Sequence, residues 1–100
     1  MRSAYEIKAQ KELEQDGYFV DYKIRPRIVP KKYNVDFFGL FDLVCYKKGE
    51  SIRWISIKGH AGAPRAHQKD IKNFVVSDGN QKEIWVYRSN KTVKKMIIGN

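Results

Sequence analysis

Gly39-Leu40-Phe41-Asp42-Leu43-Val44-Cys45-Tyr46, Lys47-Lys48-Gly49-Glu50 and Ile52-Arg53-Trp54-Ile55-Ser56-Ile57-Lys58 read as one hairpin. Residues 40–46 have the apolar character of a buried strand, 47–50 form a glycine-containing turn, and 52–58 form the partner strand. Side chains on a strand alternate, so Ser56 and Lys58 share a face. Asp42 lies eight residues before Glu50 and Lys58 eight residues after it. Pairing centred there predicts that the Asp42 carboxylate and the Lys58 ammonium meet at the open end of the hairpin. Burying either charge in an apolar strand is unfavourable unless it is paired or functional. Two readings follow. One is a structural Asp42–Lys58 ion pair. The other is phosphodiester hydrolysis, in which a carboxylate holds Mg²⁺ against a phosphate and a lysine orients the nucleophile and offsets charge.

Working outward, residues 3–16 read as a helix, with Ser3 and Glu6 forming a capping box and Gly17 placed to end it. Residues 18–25 alternate, with Tyr18, Val20, Tyr22 and Ile24 on one face of a strand. Pro26 and Pro30 bracket a basic irregular stretch. After the hairpin, Gly59 to Ala63 form a loop and Pro64 opens a second helix running to about Val76, with Ile71, Phe74 and Val75 at helical spacing. Ser77 to Asn80 form a turn, 83–88 a strand, and 92–98 a last strand or edge. The order predicts a single domain over 1–100 of the α/β class: a mixed central sheet flanked by helices. The second helix should cross over between the third and fourth strands, making that pair parallel.

Charge supplies the first functional constraint. Twenty Lys and Arg against eleven Asp and Glu give a net +9 on 100 residues. Such a field favours polyanionic partners through steering and counterion release. A basic but inert surface is the alternative. The cations are spread along the chain, so they belong to a face of the fold and not to a tail. No apolar run approaches the ~18 residues of a membrane span. The start of the chain lacks the apolar core of a signal peptide, and the lone Cys45 reads as a buried thiol. These features lead to an expectation of a cytoplasmic protein with no membrane partner. No Cys/His spacing suggests zinc, and no Walker pattern suggests a nucleotide cofactor.

The pattern Gly39-Leu40-Phe41-Asp42-Leu43-Val44 followed by Ile55-Ser56-Ile57-Lys58-Gly59 resembles the core of the PD-(D/E)xK nucleases, and most closely the archaeal-type Holliday junction resolvases. Glu6 on the first helix, followed by Gly17-Tyr18-Phe19, fits the same order, and the resemblance spans residues 3–76. It implies a restriction-endonuclease-like α-β-β-β-α-β core. It also implies a Mg²⁺-dependent endonuclease acting on structured or branched DNA as a homodimer, with Mn²⁺ as a possible substitute. Asp42 would be the main metal ligand and Lys58 the catalytic lysine. Glu6 would reach the metal directly or through water, and the Ile57 carbonyl would complete the coordination. Gln68 matches a polar position that supports the site in related nucleases.

Ser56 departs from the pattern, which has Glu, Asp or Gln there. Serine carries no charge and is a poor Mg²⁺ ligand. Either another acid (Glu6, Asp36 or, less favourably, Asp70) takes over, or the fold binds DNA or RNA without cleaving it. A metal-independent RNA endonuclease using Lys58 with His60 or His67 and a tyrosine is a third possibility. Glu6 has a purely structural alternative as the capping residue. Arg25, Arg27, Lys31 and Lys32 form a basic loop, and Arg65, Lys69 and Lys72 line the second helix. Both read as phosphate-backbone surfaces. His60, in the glycine-containing loop, reads as a phosphate contact. Trp54, Trp85, Tyr46 and Tyr87 read as core or interface aromatics.

Overall fold

The computed structural model describes residues 3–22, 36–89 and 92–100. The expected basic loop, with Arg25, Arg27, Lys31 and Lys32, lies outside the described residues. The element order is α1 (Ala4–Gln15), β1 (Phe19–Tyr22), β2 (Leu43–Tyr46), β3 (Ile52–Lys58), α2 (Arg65–Asn73), β4 (Asn80–Tyr87) and β5 (Val93–Ile98). The strands form one five-stranded sheet in sequential order, β1-β2-β3-β4-β5. The β3–β4 pair is parallel and the other neighbours are antiparallel. The fold is therefore the mixed α/β sheet anticipated from sequence, with α2 as the crossover.

Alternation along the strands builds two apolar layers. Ile55 and Ile57 of β3 and Trp85 and Tyr87 of β4 join Leu43 and Cys45 under Ala9 and Leu13 of α1. Ile84 and Val86 face the other way and meet Ile71 of α2 and Phe41. Tyr18, Val20 and Tyr22 pack on the α1 side as their spacing predicts. Cys45 is buried, and burial pushes its thiol up to about 11, so it is an inert packing group. Trp85 and Tyr87 are core residues, whereas Tyr46 is exposed.

Several boundaries shift from expectation. Ser3 caps α1 by accepting from the Glu6 N–H at 3.2 Å, and Gly17 takes φ +93° just beyond the helix. The strand expected at 40–46 begins only at Leu43. Phe37 and Phe41 exchange backbone hydrogen bonds at 2.8 and 3.1 Å, closing a tight turn through Phe38 (φ 57°) and Gly39 (φ 69°). Helix α2 ends at Asn73 and not near Val76, and Val75 is 72% exposed. The cause is Lys82, a buried residue of β4. Its ammonium donates to the carbonyls of Ile71 (2.8 Å), Lys72 (3.2 Å) and Phe74 (2.8 Å), capping the helix end. A second buried polar lock joins β3 to β4. Glu83 accepts from the Arg53 guanidinium at 2.6 and 2.8 Å and from the Trp85 and Gln81 side chains at 2.9 and 2.8 Å.

Replacing Lys82 with Met fills the same space and removes the ammonium from three carbonyls, of which Ile71 keeps the Phe74 N–H. The variant should lose about 2–4 kcal/mol, read as a lower urea midpoint with an unchanged slope. An unchanged midpoint would show that water replaces the ammonium without loss.

Candidate metal and phosphodiester centre

The centre forms where the β2–β3 hairpin runs out of strand. Leu43, Val44 and Cys45 pair with Ile55, Trp54 and Arg53, which centres the hairpin on Gly49 and not on Glu50. Asp42 therefore does not arrive opposite Lys58. Its N–H donates to the Ile55 carbonyl at 2.9 Å, and its Oδ2 accepts from the Ile57 N–H at 2.7 Å. The carboxylate thus takes the ladder position that a backbone carbonyl would otherwise fill. Among the described residues no direct ion pair joins Asp42 and Lys58, so the structural ion-pair alternative does not describe the site.

The electrostatics identify the neighbours. Burial pushes the Asp42 carboxyl up to about 6. The Ile57 N–H opposes this, and the nearby charges of Glu6 and Asp36 add to it, while Lys58 pulls it down from longer range. Glu6 comes from α1, Asp36 from the turn before Phe37, and Lys58 from the end of β3. Two acids and one lysine, from three other segments, therefore act on the Asp42 carboxyl. Each of the three is a residue that the sequence singled out.

Ser56 is fully buried, and its Oγ lies 3.0 Å from His67 Nε2. Burial, then Lys58, lowers the His67 pKa, while Asp70 and Asp36 raise it. The balance favours the neutral imidazole. Lys58 and Asp36 act on both Asp42 and His67, so the Ser56–His67 pair and the acid cluster occupy one site. His67 is the member of this pair that sequence reasoning undervalued. The signal was available: His67 precedes buried Ile71 by one helical turn, which turns both toward the sheet. Asp70, the third candidate acid, is exposed and acts on His67 and not on Asp42.

The remaining expected contacts divide by position. Arg65, Lys69 and Lys72 are exposed on α2, as is His60 in the preceding loop. Gln68 donates from Nε2 to the Ala63 carbonyl at 2.9 Å, bracing the loop that enters α2. Among the described residues no three His, Cys, Asp or Glu side chains form a closed metal cage. The donor set instead fits a hydrated Mg²⁺, which needs only one or two carboxylates and keeps several waters. Asp42 is half-buried, raised by two neighbouring acids and not directly neutralised, and would be stabilised by such a cation.

No protein-family model matches the sequence, and no curated protein matches it. Among solved structures the chain is similar to Hjc of Archaeoglobus fulgidus, a Holliday junction resolvase from an archaeal hyperthermophile. The TM-score is 0.63 at 12% sequence identity, over 93% of this chain and 74% of that one. At that identity the likeness establishes a shared fold.

The raised Asp42 carboxyl gives a pH prediction. Proton uptake on folding stabilises the native state below the ordinary value of 3.8, and this contribution is lost as pH rises through about 6. Asp42→Asn keeps an oxygen for the Ile57 N–H and removes the charge. Without divalent cations it should be more stable than wild type by roughly 2 kcal/mol near pH 8 and equal to it near pH 4. Urea unfolding at the two pH values checks this. A wild type at least as stable near pH 8 would mean that the carboxylate is already neutralised.

Proposed function

We propose that this protein is a metal-dependent endonuclease that hydrolyses phosphodiester bonds in structured or branched DNA. The observation that carries the reading is the convergence on Asp42 of Glu6, Asp36 and Lys58 at the end of a hairpin, in a chain of net +9. A carboxyl raised by burial and then further by two neighbouring acids is unusual on a basic surface unless a cation joins it. The fold shared with an archaeal Holliday junction resolvase supports the same direction.

Asp42 would hold the cation, with Glu6 or Asp36 supplying the second carboxylate that Ser56 lacks and the Ile57 carbonyl a further oxygen. When bound, Mg²⁺ or Mn²⁺ would polarise the phosphorus centre and acidify a water. Lys58 acts on Asp42 without an ion pair to it, so its ammonium would be available to orient a nucleophile and to offset charge on the phosphoryl oxygens. The exposed cations of α2 would hold the backbone in register. Cutting opposed strands of a junction requires two such sites, which motivates a homodimer. Sedimentation showing only monomer at high concentration would count against junction resolution.

A second reading has its own observation. The pair of buried Ser56 and half-buried His67 stands where a second acid belongs, and it would suit a module that binds DNA without cutting it.

The deciding assay is cleavage of labelled four-way junction, duplex and single-stranded DNA with Mg²⁺ or Mn²⁺. Wild type should cut the junction. Asp42→Ala and Lys58→Ala should each reduce the rate by at least about 10²-fold, with binding retained or, for Asp42→Ala, strengthened. Tight, salt-sensitive binding with no cleavage in either metal would favour the second reading.

A further inference from the structure

A cavity of about 290 Å³ opens between the loop that follows β3, the start of α2 and the β4–β5 edge. Its position follows from the parallel register. Lys58 pairs with Val86, so the ends of β3 and β4 finish side by side. Beyond Lys58 the chain turns through His60 and Gly62. Beyond Val86 it reaches Arg88, which lies near Lys94 of β5 across the strand connection. The sheet end that presents Asp42 and Lys58 therefore continues directly into this cavity.

The lining has two characters. Val86, Met96 and Ala63 provide an apolar floor. Arg88 and Lys94 provide a cationic rim, with His60 beside them, and the described lining residues include no carboxylate. Three other cations are already engaged. Arg53 is paired with Glu83, Lys95 with Glu12, and Lys47 with the Asp16 carbonyl. Among the described residues no acid pairs with Arg88 or Lys94. Two uncompensated cations over an apolar floor are matched by a ligand with an anionic group joined to a compact apolar body. A sugar–phosphate unit is such a ligand, with the phosphate on the rim and the deoxyribose on the floor. The volume, just under the roughly 300–1,000 Å³ typical of ligand sites, admits one such unit. Gln68, braced on Ala63, holds the wall of the cavity in place.

We propose that Arg88 and Lys94 form a second phosphate subsite, which holds a backbone phosphate of the bound DNA strand next to the one presented to Asp42. This assignment rests on the nuclease reading for its substrate, but it predicts binding that needs neither metal nor cleavage.

The test is metal-free DNA binding by wild type and by Arg88→Gln/Lys94→Gln, followed across salt concentration. Each lost phosphate contact should lower the log–log salt slope by about 0.9, so the double variant should lose roughly 1–2 in slope. Affinity at low salt should fall about tenfold or more. The control, Lys11→Gln/Lys48→Gln, removes the same net charge from exposed positions elsewhere and should leave the slope near wild type. Arg88→Lys should recover most of the slope, which separates lost charge from lost folding. Replacing one DNA phosphate at a time with a neutral methylphosphonate should weaken wild type at one linkage near the cleavage point and leave the double variant insensitive there. Inorganic phosphate alone should shift the His60 and Gln68 side-chain resonances in wild type and not in the double variant. A slope loss no larger than the control's, or a wild type that does not bind DNA, would overturn the subsite. If the slope falls as expected while no metal supports cleavage, the subsite stands and the endonuclease reading is the one that fails.

Discussion

The hydrogen bond from the Ile57 N–H to the Asp42 carboxylate governs the rest of the molecule. It closes the β2–β3 pairing after the backbone of residues 37–41 has turned away into its own loop. It also fixes an acid at the sheet end at a depth where water only partly solvates it. The charge is tolerated because one oxygen has a donor, and it remains reactive because the other has no fixed partner among the described residues. A structural hydrogen bond and an elevated carboxyl pKa are thus two consequences of one placement.

The second constraint is the parallel crossover. Running α2 between β3 and β4 carries His67 back over Ser56 and brings the ends of both strands to one side. Lys82 and Glu83, adjacent on β4, secure this arrangement from opposite faces. Lys82 stops α2 by capping its last carbonyls, and Glu83 locks β4 to Arg53 of β3. Two buried charges are tolerable here because each is surrounded by partners. Their combined effect is to hold α2 at a fixed height above the sheet, which sets the Ser56–His67 contact. The same register sets the end of β3 beside the cavity beyond Val86.

Much of this was legible in the sequence. Period-two alternation in 52–58, the turn at Gly49, the Ser3 cap and Pro64 before α2 are local signals, and each acts within a few residues of itself. Asp42 and Lys58 could be named because a charge in an apolar strand conflicts with its surroundings, whereas Glu6 was named only through the resemblance of its helix to that of a nuclease family. The absence of an acid at Ser56 was equally visible. The hairpin register was not, because the turn left its centre ambiguous between neighbouring residues, and an offset of one in the centre moves the partner by two.

The sequence by itself determined the alternation, the helix starts, the basic charge and the residue types available for chemistry, since these depend on nearest neighbours and on counting. The tertiary structure alone decided that Asp42 binds the Ile57 N–H and does not pair with Lys58. It alone placed Asp36 near the cluster, joined His67 to Ser56, ended α2 on a lysine from β4, and brought Arg88 and Lys94 to one cavity. Those relations join segments far apart in the chain, and only the packing of the sheet against its two helices fixes their distances.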